Sequence, residues 1–518
     1  MSEMQTVPPL QVDIDLTDLT IESVQAGFAQ GRFTAESLTN ACFDRIAIHN
    51  ATYNALVFLN HAALDDARAI DRRRAAGEVL GPLAGVPVVI KDPMDMVGFP
   101  TTAGWSLLYS KTGGVDLMPA TDSPVVARMR AAGAVMLGKT NVPVLSHTGS
   151  HANDSWAGPT LNVTMPDRVP GGSSAGTASA VAASMAVLGL AEETGGSIQN
   201  PASAQDLVGI KPTIGLVPNA GVVPLSGNRD VVGPIARNVR DAALCLDVLA
   251  GYSAEDSKTL ASVGKIPPQG YAANLRDDAL QGKRIGLYGP GWRTQPLSDE
   301  ASQLYLRVQQ ELKEAGAILI DDPFAGSGFA ELREPTPPLP NFDARGLESI
   351  PYDVEQYLRR LGPNAALKTF AEFAEATASQ DAFGPKGVLS FMHSLPQFAA
   401  ALENPSMPPD ISEFIELKAK YLRIFDAVMA GHALDALAFP QMRCELPPLH
   451  GKDTIQETTV GEINIAGLPG ITVPAGYYAS GSPFGVIFVG RQWDEAALVG
   501  IAYSYEQSTR HRKTPNLS

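Results

Sequence analysis

Two serines lie 24 residues apart, each beside paired glycines. They are Ser173, in Gly171-Gly172-Ser173-Ser174-Ala175-Gly176, and Ser197, in Thr194-Gly195-Gly196-Ser197. A serine hydroxyl is a weak nucleophile near neutral pH. It needs a base within hydrogen-bond reach and donors aimed at the oxyanion it creates. Flanking glycines let the hydroxyl and nearby backbone N–H groups converge on one point, because no Cβ intervenes. The chemistry suggested is acyl transfer, with the base still to be found.

The eight histidines contain no HExxH or HxH pattern. His147 and His151 have no acidic residue between them, so no metal site is expected. Gly289-Pro290-Gly291 lacks the third glycine of a dinucleotide fingerprint, and no cofactor is expected. Lysine can serve as base where burial keeps its amine neutral. Lys91 ends the apolar run Val86 to Ile90 and precedes Asp92-Pro93. Lys139 ends a second apolar run, Gly133 to Gly138, and is a rival. Either residue taken alone is more often a surface lysine with a snorkelling stem. Other short patterns fail in context. Ser174 fits GxSxG, yet Asp167, Arg168 and Pro170 stand where a nucleophile elbow needs a strand. An SxxK at Ser262 and a KTG at Lys111 occur in reversed order, with no SDN partner.

The elements that must position these residues alternate in type. Helices are expected over Ser23 to Ile48, split at Gly31, with Thr34 and Ser37 opening the second. More follow at Ala62 to Gly77, Pro124 to Ala132, Val239 to Leu249, Ser298 to Glu314 and Asp494 to Ser508. Strands are expected at Asn54 to Leu59, Val86 to Ile90, Gly133 to Gly138, Lys283 to Leu287, Ala317 to Ile320, Ile471 to Val473 and Val486 to Val489. The Ala/Ser/Gly-rich run Thr177 to Ala191 suits a buried helix between the two serines. From about 323 to 438 the character changes. Prolines cluster at 335, 337, 338 and 340, and helical patterns follow at Tyr352 to Leu361 and Ile411 to Met429. This reads as a helical insertion forming a pocket wall or lid. Leu389, Phe391, Met392, Leu395 and Phe398 are candidates for an apolar mouth, though ordinary core is the commoner use of such residues. The pattern implies an α/β fold with a large mixed, mostly parallel, twisted sheet surrounded by helices.

Bulk properties narrow the partners. The chain has 518 residues, 45% hydrophobic and 18% charged, with net charge −16. It has no basic cluster, so nucleic acid is not expected. Three scattered cysteines, Cys42, Cys245 and Cys444, fit neither a disulfide framework nor a zinc site and point to a reducing compartment. Residues 1 to 16 lack the basic and apolar regions of a signal peptide, and no apolar run suits a membrane span. The expectation is a cytoplasmic protein with no membrane partner, for which a homodimer is allowed.

The constellation as a whole resembles the amidase signature family. The resemblance rests on GGSSAGTASAVAASMAVLGLAEETGGSIQNPASAQDLVGIKPTIGLVPNAGVVP from Gly171, followed after a gap by GPIARNVRDAA, ending at Ala243. It extends to GVPVVIKD at 85–92, TTAG at 101–104, AAGAVMLGKTN at 131–141 and NIAGLPGITVP at 464–474. It implies one amidase signature domain over 1–518, with a signature core at 60–250 and 460–510. It also implies a Ser–cis-Ser–Lys triad: Ser197 as nucleophile, Ser173 as bridging serine and Lys91 as base. Lys139 then falls outside the triad, and Thr194, Gly195, Gly196 and Ser197 form the oxyanion hole. Three residues depart from the family pattern. Glu193 stands for a common aspartate and is expected still to accept backbone hydrogen bonds. Ala175 stands for a usual glycine. Gln199 stands for a common arginine; as a substrate-binding residue it would favour a neutral aryl or alkyl amide, and it could equally be a packing residue. The implied activity is hydrolysis of a small carboxylic amide at a non-peptide C–N bond. Carbamate or urea-type bonds, as in a urethanase, are one alternative, and an amidotransferase subunit is another.

Overall fold

The computed structural model describes residues 14–333 and 342–517. The proline cluster at 335–340 lies outside the described residues, as do residues 1 to 13 of the terminal segment. Among the described residues one sheet of eleven strands runs through the molecule. Its strands are β1 (Leu56–Leu59), β2 (Pro87–Lys91), β3 (Val135–Thr140), β4 (Leu188–Glu193), β5 (Val208–Lys211) and β6 (Val231–Ala236). They continue with β7 (Arg284–Leu287), β8 (Ile318–Ile320), β9 (Ala436–Pro440), β10 (Gly470–Tyr477) and β11 (Pro483–Val489). The spatial order is β1-β3-β2-β4-β6-β5-β10-β11-β9-β7-β8.

The sheet is mixed, as expected, but its balance is not mostly parallel. Only β2–β3, β2–β4, β7–β8 and β7–β9 pair in parallel. The other six neighbouring pairs are antiparallel. The expected βαβ unit is present as β7, the helix Asp299–Glu314 and β8. Its helix is capped by the Ser298 side chain. Thr34 and Ser37 form a reciprocal capping box on the helix Ala35–Tyr53.

Three expectations need correction. The run Thr177 to Ala191 is not one helix. It divides into the helix Ala175–Ala182 and strand β4, with Ser184 at positive φ between them. A run apolar on all sides carries no period by which a buried helix can be told from a buried strand. Strand β6 is not expected from the sequence, because Gly233 and Pro234 interrupt its apolar pattern. The 323–438 insertion ends before β9, which begins at Ala436 and pairs with β7 and β11. The described part of the insertion is otherwise helical, with Ile350–Arg360 and Ser412–Gly431 as its longer helices.

The sheet core is almost wholly apolar, and β2, β3 and β4 are buried at every position. A second apolar cluster joins the insertion to the loop around Trp105 and Leu108. Leu389, Phe391, Met392, Leu395 and Phe398 all lie inside this cluster. They are core residues and do not form an apolar mouth. Phe391 sits edge-on behind Phe342, with ring centroids 5.5 Å apart.

Candidate active site

The helix Ala175–Ala182 brings Ser173 to the sheet. It contacts β2, β3, β4 and β6, and its small residues permit that approach. A Cβ at Gly176 would stand 2.3 Å from the Ala55 carbonyl oxygen and the Asn141 nitrogen. Ser173 lies just before this helix, after a cis Gly172–Ser173 peptide bond. Strand β2 ends on Lys91. Strand β4 runs parallel to it, with Ile90 beside Leu190, and leads into the turn that carries Ser197. The helix Gln199–Ala204 follows at once. Ser197 thus occupies a strand–turn–helix corner, the context that Ser174 lacks.

The three side chains converge. Ser173 Oγ lies 2.9 Å from Ser197 Oγ, and Lys91 Nζ lies 2.7 Å from Ser173 Oγ. Lys91 and Ser173 are fully buried, while Ser197 retains 4% exposure. Ser197 lines a pocket together with Thr194, Gly195, His147, Thr148, Gly149, Leu225, Phe342 and Glu457, among others. The loop at 147–150 therefore lies on the pocket wall, as expected. Among the described residues, the backbone N–H groups of Gly195, Gly196 and Ser197 have no internal acceptor. Gly196 is required at its position: its φ is +95°, and a Cβ there would meet Asn200 Nδ2 at 2.7 Å.

Glu193 organises the turn from beneath. Its Oε2 accepts the N–H groups of Ile198 at 2.8 Å and Gln199 at 3.2 Å. Its Oε1 accepts from Asn464 Nδ2 at 2.8 Å and from the Gln199 side-chain amide. Gln199 is fully buried and lies outside the pocket lining. The expectation that it touches substrate is thereby corrected: its amide is turned to Glu193 and packs under the nucleophile turn. Lys139 is also buried, but it is turned away from the serines. It donates to the Pro100 carbonyl at 2.9 Å and to Thr101 Oγ1 at 3.1 Å, and lies 3.5 Å from Asp92. Burial holds its amine below the ordinary lysine range, against the pull of Asp92.

Several polar groups at the site lie outside the sequence-based expectations. Glu192 Oε2 lies 2.7 Å from Lys91 Nζ, and the Glu192 carbonyl accepts from the same nitrogen at 2.9 Å. Arg229 donates Nε–H to the Thr194 carbonyl at 3.2 Å and Nη1–H to the Asp343 carbonyl at 2.5 Å. Glu457 takes one bond from Asn200 Nδ2 at 3.2 Å through Oε1. Its Oε2 is buried and has no partner among the described residues. Burial pushes this carboxyl above the usual range. Burial also outweighs Asp154 at His147 and holds that imidazole below its ordinary value. The sequence does carry a signal for Glu192 and Glu193: consecutive strand residues point to opposite faces. An acidic doublet ending a buried strand therefore serves two sites, here Lys91 on one side and the Ser197 turn on the other.

The family model described as Amidase matches residues 37–499. The glutamyl-tRNA(Gln) amidotransferase GatA-type chain of Moorella thermoacetica is 34% identical, over 97% of this chain and 99% of that protein. The protein of the same name from Chloroflexus aurantiacus is 32% identical over the same shares. The solved structure of native peptide amidase from Stenotrophomonas maltophilia superposes with a TM-score of 0.77 at 31% identity, covering 97% and 99% of the two chains. The match runs through both glycine-flanked serines and nearly the whole sheet, and the chain belongs to the amidase signature family.

Proposed function

We propose that this protein breaks the C–N bond of a carboxylic amide through an acyl-enzyme on Ser197. The observation that carries this proposal is the unbroken path Ser197–Ser173–Lys91, with steps of 2.9 and 2.7 Å, opening onto the pocket at the nucleophile. As Ser197 Oγ bonds to the substrate carbonyl carbon, its proton passes to Ser173 Oγ. The Ser173 proton passes to the neutral Lys91 amine. The oxyanion is received by the N–H groups of the Gly195–Ser197 turn. Collapse of the tetrahedral intermediate breaks the C–N bond, and the relay runs backwards to protonate the leaving amine. Water, or another acceptor, then cleaves the ester.

The curated relatives favour one use of this chemistry, in an amidotransferase whose amidase chain passes ammonia to a partner. The identity with peptide amidase supports the other, a self-sufficient amidase acting on a small neutral amide. A carbamate or urea-type C–N bond lies within reach of the same triad. The pocket lining favours an uncharged or N–H-rich substrate in each case. It carries no lysine or arginine among the described residues, and the free Glu457 oxygen accepts an N–H. The test is to offer the purified chain primary amides, anilides and carbamates and to assay ammonia, amine and acid. Sustained release by the chain alone supports the self-sufficient amidase. Ammonia released only when a partner protein is added supports the amidotransferase. Full activity in Ser197→Ala would sink both.

A further inference from the structure

Beyond the triad lies a run of buried acidic groups that the proton relay does not use. Lys91 Nζ sits among three oxygens: Ser173 Oγ, the Glu192 carbonyl oxygen and Glu192 Oε2. A neutral amine fits this cage with two N–H groups on Glu192 and its lone pair on Ser173. An ammonium fits it with three N–H groups on the same three oxygens. The nitrogen therefore need not reorient when the proton arrives. Glu192 Oε1 lies 3.1 Å from Thr194 Oγ1, which lies 2.5 Å from Asp230 Oδ1. A hydroxyl has one hydrogen and cannot donate to both carboxylates. Were both acids ionised, one contact would set lone pairs against each other. One acid of the pair must hold a proton. Asp230 is the better holder, because burial and then the charge of Glu192 push its carboxyl well above the usual range.

We propose that Glu192 is a positioning residue of the triad: its carboxylate, held through Thr194 by a protonated Asp230, fixes Lys91 against Ser173 and supplies the counter-charge when the serine proton reaches the amine. This rests on the triad assigned above. The charged groups around Glu192 are few. Strand β2 presents Lys91, and the residue before β6 presents Asp230 with Arg229 beside it. The helix Ala175–Ala182 has no titratable side chain, and Glu193 is bonded to the Ser197 turn instead. Lys139 and Asp92 pair with each other at the ends of β3 and β2.

The experiment compares pH profiles of full-length Glu192→Gln and Asp230→Asn with wild type on para-nitroacetanilide, or on the best amide of the panel. Without the Glu192 carboxylate the ammonium is less favoured, so neutral lysine persists to lower pH. Glu192→Gln is expected to lose about tenfold or more in kcat with little change in KM. The acid limb of its kcat/KM profile should move down by about one pH unit. Asn at 230 can donate to Thr194 as a protonated acid does, so Asp230→Asn should leave that limb in place. An unmoved acid limb in Glu192→Gln, or an equal shift in Asp230→Asn, overturns the proposal. A readout independent of turnover and of how Glu192→Gln folds is the infrared difference between wild type and Asp230→Asn at neutral pH. A protonated-carboxyl C=O band lost in the variant is expected; loss of carboxylate bands instead overturns the proposal. Ser197→Ala distinguishes the two levels: its inactivity upholds the triad even if Glu192 proves dispensable.

Discussion

At the scale of single residues, the two buried lysines separate by what their nitrogens touch. Lys91 reaches Ser173, whereas Lys139 ties Pro100 and Thr101 to the end of β3. Lys91→Met is therefore expected to lower kcat about a thousandfold, within the range of general base loss, while KM stays within a few-fold. Lys139→Met leaves Asp92 buried without its cation. It is expected to cost about 3 kcal/mol of stability, read by urea denaturation, with the larger effect on folding rather than turnover. The sequence carries both lysines as candidates, because each ends an apolar run. Only the family resemblance chooses between them. Burial can be inferred from the flanking residues, but the direction of a four-carbon side chain cannot. The acidic doublet is legible in principle through strand alternation. It stays hidden as long as β4 reads as part of a helix.

At the scale of elements, the site is held by close packing of small residues. The helix Ala175–Ala182 can approach the sheet only while position 176 has no side chain. Gly176→Val is expected to lose about 3 kcal/mol or more by overpacking, measured by urea unfolding, and to displace Ser173 along with its helix. Arg229 acts on the oxyanion turn from the other side. Across a trans peptide the C=O and N–H point in opposite directions. An arginine that holds the Thr194 carbonyl therefore sets the direction of the Gly195 N–H. Arg229→Met is expected to reduce kcat by one to two orders of magnitude, with a smaller effect on KM, since misplacement by about 1 Å can cost a hundredfold. Retained kcat would show that the turn holds itself. Helix caps, the βαβ unit and the apolar strands are legible because local chemistry specifies them. Strand β6 is hidden by Gly233 and Pro234, and β9 by its place at the end of a long helical segment.

At the scale of the whole molecule, one sheet takes strands from both ends of the chain. Strand β10 pairs with β5, and β9 lies between β7 and β11. The chain is accordingly proposed to act as one folding unit. Circular dichroism and tryptophan fluorescence are expected to report coincident unfolding transitions. Two separated transitions would show that the insertion or the C-terminal half melts independently. The extent of the sheet is foreseeable from alternating elements, but its antiparallel majority is not. Pairing direction depends on how distant segments meet, and a single sequence holds no local trace of that. The central claim concerns one covalent bond. Rapid-quench mass spectrometry of the enzyme during amide turnover is expected to find the substrate acyl group on the peptide containing Ser197. An acyl group on another residue, or steady turnover by Ser197→Ala, would contradict it.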